Sequence, residues 1–275
     1  MTETIDRRTL VRGATWSAPA VVMAAQAPAS AASPCTRQVC QTQTIDWDVV
    51  ANYSSPSTTQ GTYTLPITGK AASGSSALVM SISSTFYRNM RSGVRGSTAS
   101  AYPGATFDRN LRRTQNTTYD PSSVGSTGWG LMLHQTVDAG RTDITNLNAG
   151  SRADRQEVRF TFSERVCSLT FGIWDLDAVQ GDFIDAVDLT ATDPFRVVRG
   201  SALQGSGTAA DPWRAPAWGD RLPTDSANRV QISFPSGVQS FAVNYWNLET
   251  ARTLDGDHRV FFDDMVVGIT KVVSC

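Results

Sequence analysis

The chain has 275 residues, 40% of them hydrophobic, and a formal net charge of −1. That size suits one all-β domain with a sizeable core, and the near-zero charge excludes the global field expected of a nucleic-acid-binding or membrane-surface protein. Only Lys70 and Lys271 are lysine, and only Glu3, Glu157, Glu164 and Glu249 are glutamate, so basic chemistry rests on arginine and acidic chemistry on aspartate. Aspartate favours turns, because its side chain accepts from its own backbone. Clustered aspartates are also the raw material of calcium sites.

The chain begins with an address. Residues 6–12 read DRRTLVR, followed by the weakly apolar run GATWSAPAVVMAAQAPA and then Ala29-Ser30-Ala31. A paired arginine, a modest apolar segment and an A-x-A site describe a twin-arginine export signal over residues 1–31. The segment resembles the leaders of secreted actinobacterial proteins. It is too short and too poor in Leu and Ile to span a membrane. Residues 32–275 are then expected to form a single domain, secreted or held at the cell envelope, with no integral membrane segment. Its four cysteines, Cys35, Cys40, Cys167 and Cys275, are expected to form two disulfides. Crossed staples are preferred, one N-terminal cysteine to Cys275 and the other to Cys167.

Strand signals follow in order. Residues 42–50 alternate with Ile45, Trp47 and Val49 on one face, and residues 61–68 alternate again with Pro66 marking an edge. Residues 77–87 and 129–137 read as further strands, separated by a polar, irregular stretch over about 88–128. Residues 157–177, EVRFTFSERVCSLTFGIWDLD, align without a gap to residues 229–249, RVQISFPSGVQSFAVNYWNLE, at an offset of 72. Each copy reads as a β-hairpin that runs out at a tryptophan, Trp174 or Trp246, into an acidic loop. Another strand lies near 184–190, a long loop over about 199–228, and a final strand over 258–270. With no helical periodicity and no βαβ spacing, the expected architecture is a two-sheet Greek-key or jelly-roll β-sandwich.

The closing run Phe261-Phe262-Asp263-Asp264-Met265 resembles the last strand of jelly-roll carbohydrate-binding modules. The Trp174-Asp175-Leu176-Asp177 loop is similar to one that recurs in β-sandwich domains of bacterial surface proteins. These resemblances imply a sandwich, often with a structural calcium, and no particular glycan.

Four constellations could carry chemistry. Asp175, Asp177, Asp263 and Asp264, then Asp182 and Asp257, are candidate calcium ligands if the exits of the two repeats converge, since calcium takes six to eight oxygens in flexible geometry. The alternative is ordinary capped turns. Trp213 and Trp218, in the loop ADPWRAPAWGD, and Trp174 and Trp246 are candidate sugar-stacking platforms if exposed, and core residues if covered. Arg88, Arg91, Arg95, Arg109, Arg112 and Arg113, interleaved with Tyr87, Tyr102 and Phe107, could bind an acidic polymer or simply form a solvated loop. Paired carboxylates could act as general acid and base in glycoside hydrolysis, while a nucleophilic triad would need His134 or His258 as base; no G-x-S-x-G elbow is present, and His258 reads as solvated or in a loop contact. The sequence therefore points to a non-catalytic binding or adhesion module directed at a glycan or cell-envelope polymer and supported by calcium. A hydrolase using the Asp cluster and a structural envelope protein are the alternatives.

Overall fold

The computed structural model describes residues 35–69, 71–88, 90–92, 110–114, 128–137, 151–249 and 258–275. The leader, Asp257, Arg95, Arg109, Tyr102 and Phe107 lie outside them. The chain divides into a small unit, residues up to 37 with 273–275, and a main unit, residues 38–272. In the small unit Cys35 and Cys275 are disulfide-bonded, and the Cys275 amide donates to the Cys35 carbonyl at 2.8 Å.

The main unit consists of two packed antiparallel sheets. Among the described residues the first sheet contains β1 (Thr36–Ile45), β5 (Met90–Ser92), β6 (Arg112–Thr114), β7 (Gly130–Val137), β9 (Ser168–Trp174), β12 (Arg196–Arg199), β13 (Val230–Phe234), β15 (His258–Phe262) and β16 (Met265–Ser274). The second contains β2 (Tyr53–Ser57), β3 (Gln60–Pro66), β4 (Ala77–Phe86), β8 (Gln156–Val166), β10 (Ala178–Val179), β11 (Phe183–Ala191) and β14 (Val238–Asn247). No helix among the described residues is long and apolar enough to cross a membrane. The first strand stops at Ile45 rather than continuing to residue 50. The Asp46 carboxylate accepts from the Asp48 amide at 2.8 Å, and this turn carries the chain out of the sheet while Trp47 stays fully buried.

The doubled segment is not a pair of hairpins. In the first copy, β8 belongs to the second sheet and β9 to the first; in the second copy, β13 belongs to the first sheet and β14 to the second. Each copy is an arch that crosses the core, and each pairs with the other copy. Phe171 sits opposite Ile232 and Leu169 opposite Phe234 in one sheet, with Phe160 opposite Phe241 and Val158 opposite Val243 in the other. A hairpin would pair its two strands with each other; these arches place theirs in different sheets, where each pairs with the other copy and with a flanking strand. Their bends touch. Gly237 has φ 77°, and a Cβ there would stand 1.9 Å from the Val166 carbonyl, so the crossing tolerates only glycine.

Alternation sends one face of every arch strand inward. Phe241 stacks between Phe160 at 4.9 Å and Phe171 at 5.0 Å, with Phe234 and Phe262 completing the aromatic centre. A second disulfide, Cys40–Cys167, ties β1 to the bend of the first arch. Both disulfides join an N-terminal cysteine to a distant one. Phe241→Ala is expected to lower unfolding free energy by about 3–5 kcal/mol, since it empties a site walled by rings from both sheets. Chemical denaturation monitored by tryptophan fluorescence measures this, and a loss below about 1 kcal/mol would contradict the interlocked core.

Candidate functional site

Where the first arch ends, the backbone turns sharply. Asp175 follows Trp174 with φ 70°, a left-handed conformation that Asp tolerates better than most residues. The Leu176 amide donates to the Asn228 carbonyl at 3.2 Å. The Asp177 amide donates to the Asp185 carboxylate at 2.9 Å, and the Asp185 amide returns a bond to the Asp177 carbonyl at 3.0 Å. The Arg221 amide donates to the Asp177 carboxylate at 2.5 Å, docking the 219–225 segment against this turn. The Gly219 amide adds a second tie to the Ala178 carbonyl at 2.7 Å.

The exit of the second arch meets the same loop. The Asn247 Oδ1 accepts from the Ile184 amide at 2.9 Å, and its Nδ2 donates to the Asp182 carbonyl at 3.1 Å. Glu249 accepts from the Gly181 amide at 3.1 Å. The two exits therefore converge. The second copy contributes grips on the backbone of the first copy's loop; its Asn247 and Glu249 are not lining residues of the cavity that results.

That cavity measures about 290 Å³ and is lined by Asp175, Asp177, Asp182 and Asp220, with Val179, Phe183, His258 and Arg259. Behind it Asp185 is fully buried. Its Oδ1 accepts from the Tyr245 hydroxyl at 2.8 Å and stands 2.6 Å from His258 Nε2. Gln135 Nε2 lies 3.0 Å from His258 Nδ1, and the Tyr245 ring stacks on the imidazole at 4.5 Å. With Gln135 donating to Nδ1, the proton of a neutral imidazole sits on Nε2, the nitrogen that faces the Asp185 carboxylate. His258 is buried rather than solvated, because β15 carries it under the first arch's exit.

Crowded carboxylates in a shielded site resist ionisation. Burial pushes Asp175 well above the usual carboxylate range, the charges of Asp177 and Asp185 add to this, and Arg259 opposes it. Asp177 is pushed up to about 8, by burial first and the Asp185 charge next. Burial likewise raises Asp185, against hydrogen bonds that favour its ionised form. Asp177 and Asp185 titrate as a pair. Near neutral pH this group holds protons or needs a cation.

Other expected site residues lie elsewhere. Asp263 accepts from the Gly172 amide at 2.5 Å and from Trp174 Nε1 at 2.9 Å, and Asp264 accepts from the Trp47 amide at 3.0 Å. Both serve the junction of β9, β15 and β1, away from the cavity lining. The reason is the break between β15 and β16, which turns each carboxylate onto backbone donors that would otherwise be orphaned. Asp264 is pushed up to about 6 by burial and then by Asp46, Asp48 and Asp263, a second acidic group that the alternation of the first strand concealed. Among the described residues no three His, Cys, Asp or Glu side chains stand ready around a common metal position.

Three of the four candidate tryptophans form no platform. Trp213 belongs to the main core, where its carbonyl accepts from the Val187 amide at 3.0 Å. Trp174 packs with Met132 and Phe261, with the Arg229 guanidinium 4.8 Å above its ring, and Trp246 is buried beneath Arg152. Both lie on outer sheet faces that are covered, which makes them satellite core. Trp218 alone of the four is exposed, at 49%, two residues from the cavity-lining Asp220. Asp220 and Arg259 join the cavity without belonging to an acidic cluster in the sequence; Asp220 stands alone among its neighbours in the WGD run that begins at Trp218.

Because their folded-state values are raised, Asp177 and Asp185 contribute stability that is full below the unfolded value near 3.8 and is lost as pH rises through about 8. In metal-free buffer the Tm is therefore expected to fall by several degrees between about pH 6 and 9, and Asp177→Asn is expected to flatten that slope. Calorimetry across this range tests both; a wild-type Tm that rises over it would contradict the protonated pair.

No protein family, curated protein or solved structure matches the chain, so the chemistry of the cavity carries the functional reading.

Proposed function

We propose that the protein is an exported, extracytoplasmic binding module directed at carbohydrate, and that it recognises its ligand at the acidic cavity beside Trp218. The observation that carries this reading is the juxtaposition of an exposed indole, two residues from Asp220, with a concave site holding four carboxylates. Sugar rings present apolar C–H faces that stack on indole, and paired hydroxyls that donate to carboxylates. The two disulfides support an oxidising compartment, in keeping with the export signal.

Calcium fits the donor set. Asp175, Asp177, Asp182 and Asp220 offer hard oxygens from three stretches of chain, and a divalent cation would relieve the like-charge repulsion that, with burial, raises Asp175 and Asp177. In this reading the cation holds the carboxylates in place and completes a surface for sugar hydroxyls.

A second reading draws on Asp177, Asp185 and His258. A carboxyl pushed up to about 8 beside an open cavity can protonate a leaving group, which would make the same site that of a hydrolase. Release of reducing ends from a bound glycan distinguishes this from simple binding.

A glycan array probed with and without calcium tests the main reading. Retention of one glycan class, weakened about two- to tenfold by Trp218→Ala and lost in Asp177→Asn, is the expected result. No retention of any glycan by the folded protein would overturn it. Calcium is expected to raise the Tm of the wild type at about pH 7.5 and to leave Asp177→Asn unchanged, the rise following site saturation. An unchanged wild-type Tm in excess calcium removes the cation from the scheme and leaves the sugar reading standing.

A further inference from the structure

A second cavity, of about 370 Å³, lies where the edge strand β2 meets β6. Tyr53, Ser55, Ser57, Thr58, Arg112 and Arg113 line it, and its described lining holds two guanidinium groups and no carboxylate. The chemistry is the reverse of the acidic cavity.

The segment that delivers the arginines is held against its own preference. Leu111 has φ 60°, a left-handed conformation that bulky side chains rarely adopt. Such a conformation persists only where the surroundings over-determine it. Here they do. The Leu111 amide donates to the Met132 carbonyl at 3.0 Å, and its carbonyl accepts from the Tyr53 hydroxyl at 2.6 Å. The neighbouring Asn110 is buried and fully engaged. Its Nδ2 donates to the Thr58 carbonyl at 2.6 Å and to Ser84 Oγ at 3.1 Å, and its Oδ1 accepts from the His134 amide at 3.0 Å and from Gln156 Nε2 at 2.7 Å. A buried polar network of this size specifies one arrangement of the chain. The arrangement it specifies places Arg112 and Arg113 at the cavity.

Arg113 is itself positioned. One of its N–H groups donates to the Trp47 carbonyl, and its guanidinium lies 4.6 Å over the Trp129 ring. Asp48 feels its charge, so Arg113 is partly compensated from outside the cavity. Arg112 is exposed and supplies the second charge. A guanidinium held by stacking presents its remaining donors as a flat fork, the geometry that suits an oxyanion. Ser55, Ser57 and Thr58 line the same space, and the turn they form is tied internally, the Ser55 hydroxyl donating to the Ser57 carbonyl at 2.9 Å.

We propose that this cavity, built by Arg112 and Arg113 on the strained Asn110–Leu111 turn and walled by Ser55, Ser57 and Thr58, binds a tetrahedral oxyanion. The chemistry is that of phosphate or sulfate, borne either by a free ion or by an ester on a polymer. The site is separate from the acidic cavity and stands whether or not that cavity takes a sugar.

The test titrates the disulfide-bonded protein with inorganic phosphate, inorganic sulfate, dextran sulfate and uncharged dextran at about 50 mM NaCl, where charge contacts are strong. Arg112→Gln probes an exposed residue whose loss leaves the buried network intact. Arg113→Lys keeps the charge and removes the fork, and Arg196→Gln, an exposed arginine on β12, is the control. At least one anionic probe is expected to bind, about tenfold more weakly in Arg112→Gln and within about twofold of wild type in Arg196→Gln. Arg112-dependent binding of the inorganic ions identifies a free oxyanion as the ligand; Arg112-dependent binding of dextran sulfate alone identifies an ester on a polymer. No binding of any anionic probe overturns the site. So does binding that Arg112→Gln and Arg196→Gln weaken alike, or that uncharged dextran reproduces.

Discussion

The rest of the structure depends on two arches that pair with each other in both sheets. Each copy of the doubled segment leaves one sheet and enters the other, and each of its strands finds its partner in the opposite copy. Phe241 is clasped by Phe160 from its own sheet and Phe171 from the facing one. The pairing makes the sandwich cooperative, because neither copy has a self-contained hydrogen-bonded form to fall back on. It also sets direction. Both arches run out at the same end of the sandwich, which brings the loop after Trp174 against the loop after Trp246.

At that end the copies divide the work. Aligned positions hold Asp175 and Asn247, then Asp177 and Glu249. The changes are small in shape and large in consequence. Asn247 both donates and accepts, so it can grip the Ile184 amide and the Asp182 carbonyl together, which a carboxylate cannot do. Glu249 reaches the Gly181 amide with its longer side chain. The second copy thereby fixes the backbone of the first copy's loop, and the first copy is left to present charge. That charge is concentrated beyond what solvent-shielded carboxylates sustain, and the cavity's affinity for protons or a cation follows from it.

Two cavities of opposite chemistry result, each with a left-handed residue at its edge: Asp175 at the acidic one, followed by the hydrogen-bonded Leu176 and Asp177 amides, and Leu111 at the basic one, held through its own amide and carbonyl. In a sandwich whose strands follow ordinary alternation, departures of this kind mark where the chain spends stability to aim side chains. The tryptophans sort by the same logic. Those on strand ends became packing, because Arg229 and Arg152 cover the outer faces they occupy; Trp218, on a loop beyond the sheets, stays exposed.

Alternation is a local property, and it sufficed for what depends on it alone. The inward faces of the arches, Leu169 with Phe241, Phe171 with Val243 and Ile173 with Tyr245, are all buried, and two sheets follow from that pattern. An aspartate's partners are not local. Asp263 and Asp264 look like ligands in the sequence, yet backbone donors of Gly172 and Trp47 claim them. Asp220, His258 and Arg259 come to the cavity from segments far from Asp175 in the chain. The choice between hairpin and arch is of the same kind, since either has the same residues facing inward and only the pairing across the repeat separates them. Strand periodicity, the doubled segment and the cysteine count were decided by the sequence itself, through side-chain alternation and composition. Which strands pair and which carboxylates share a cavity were decided by the tertiary structure, because those contacts join residues whose separation along the chain carries no signal of their distance in space.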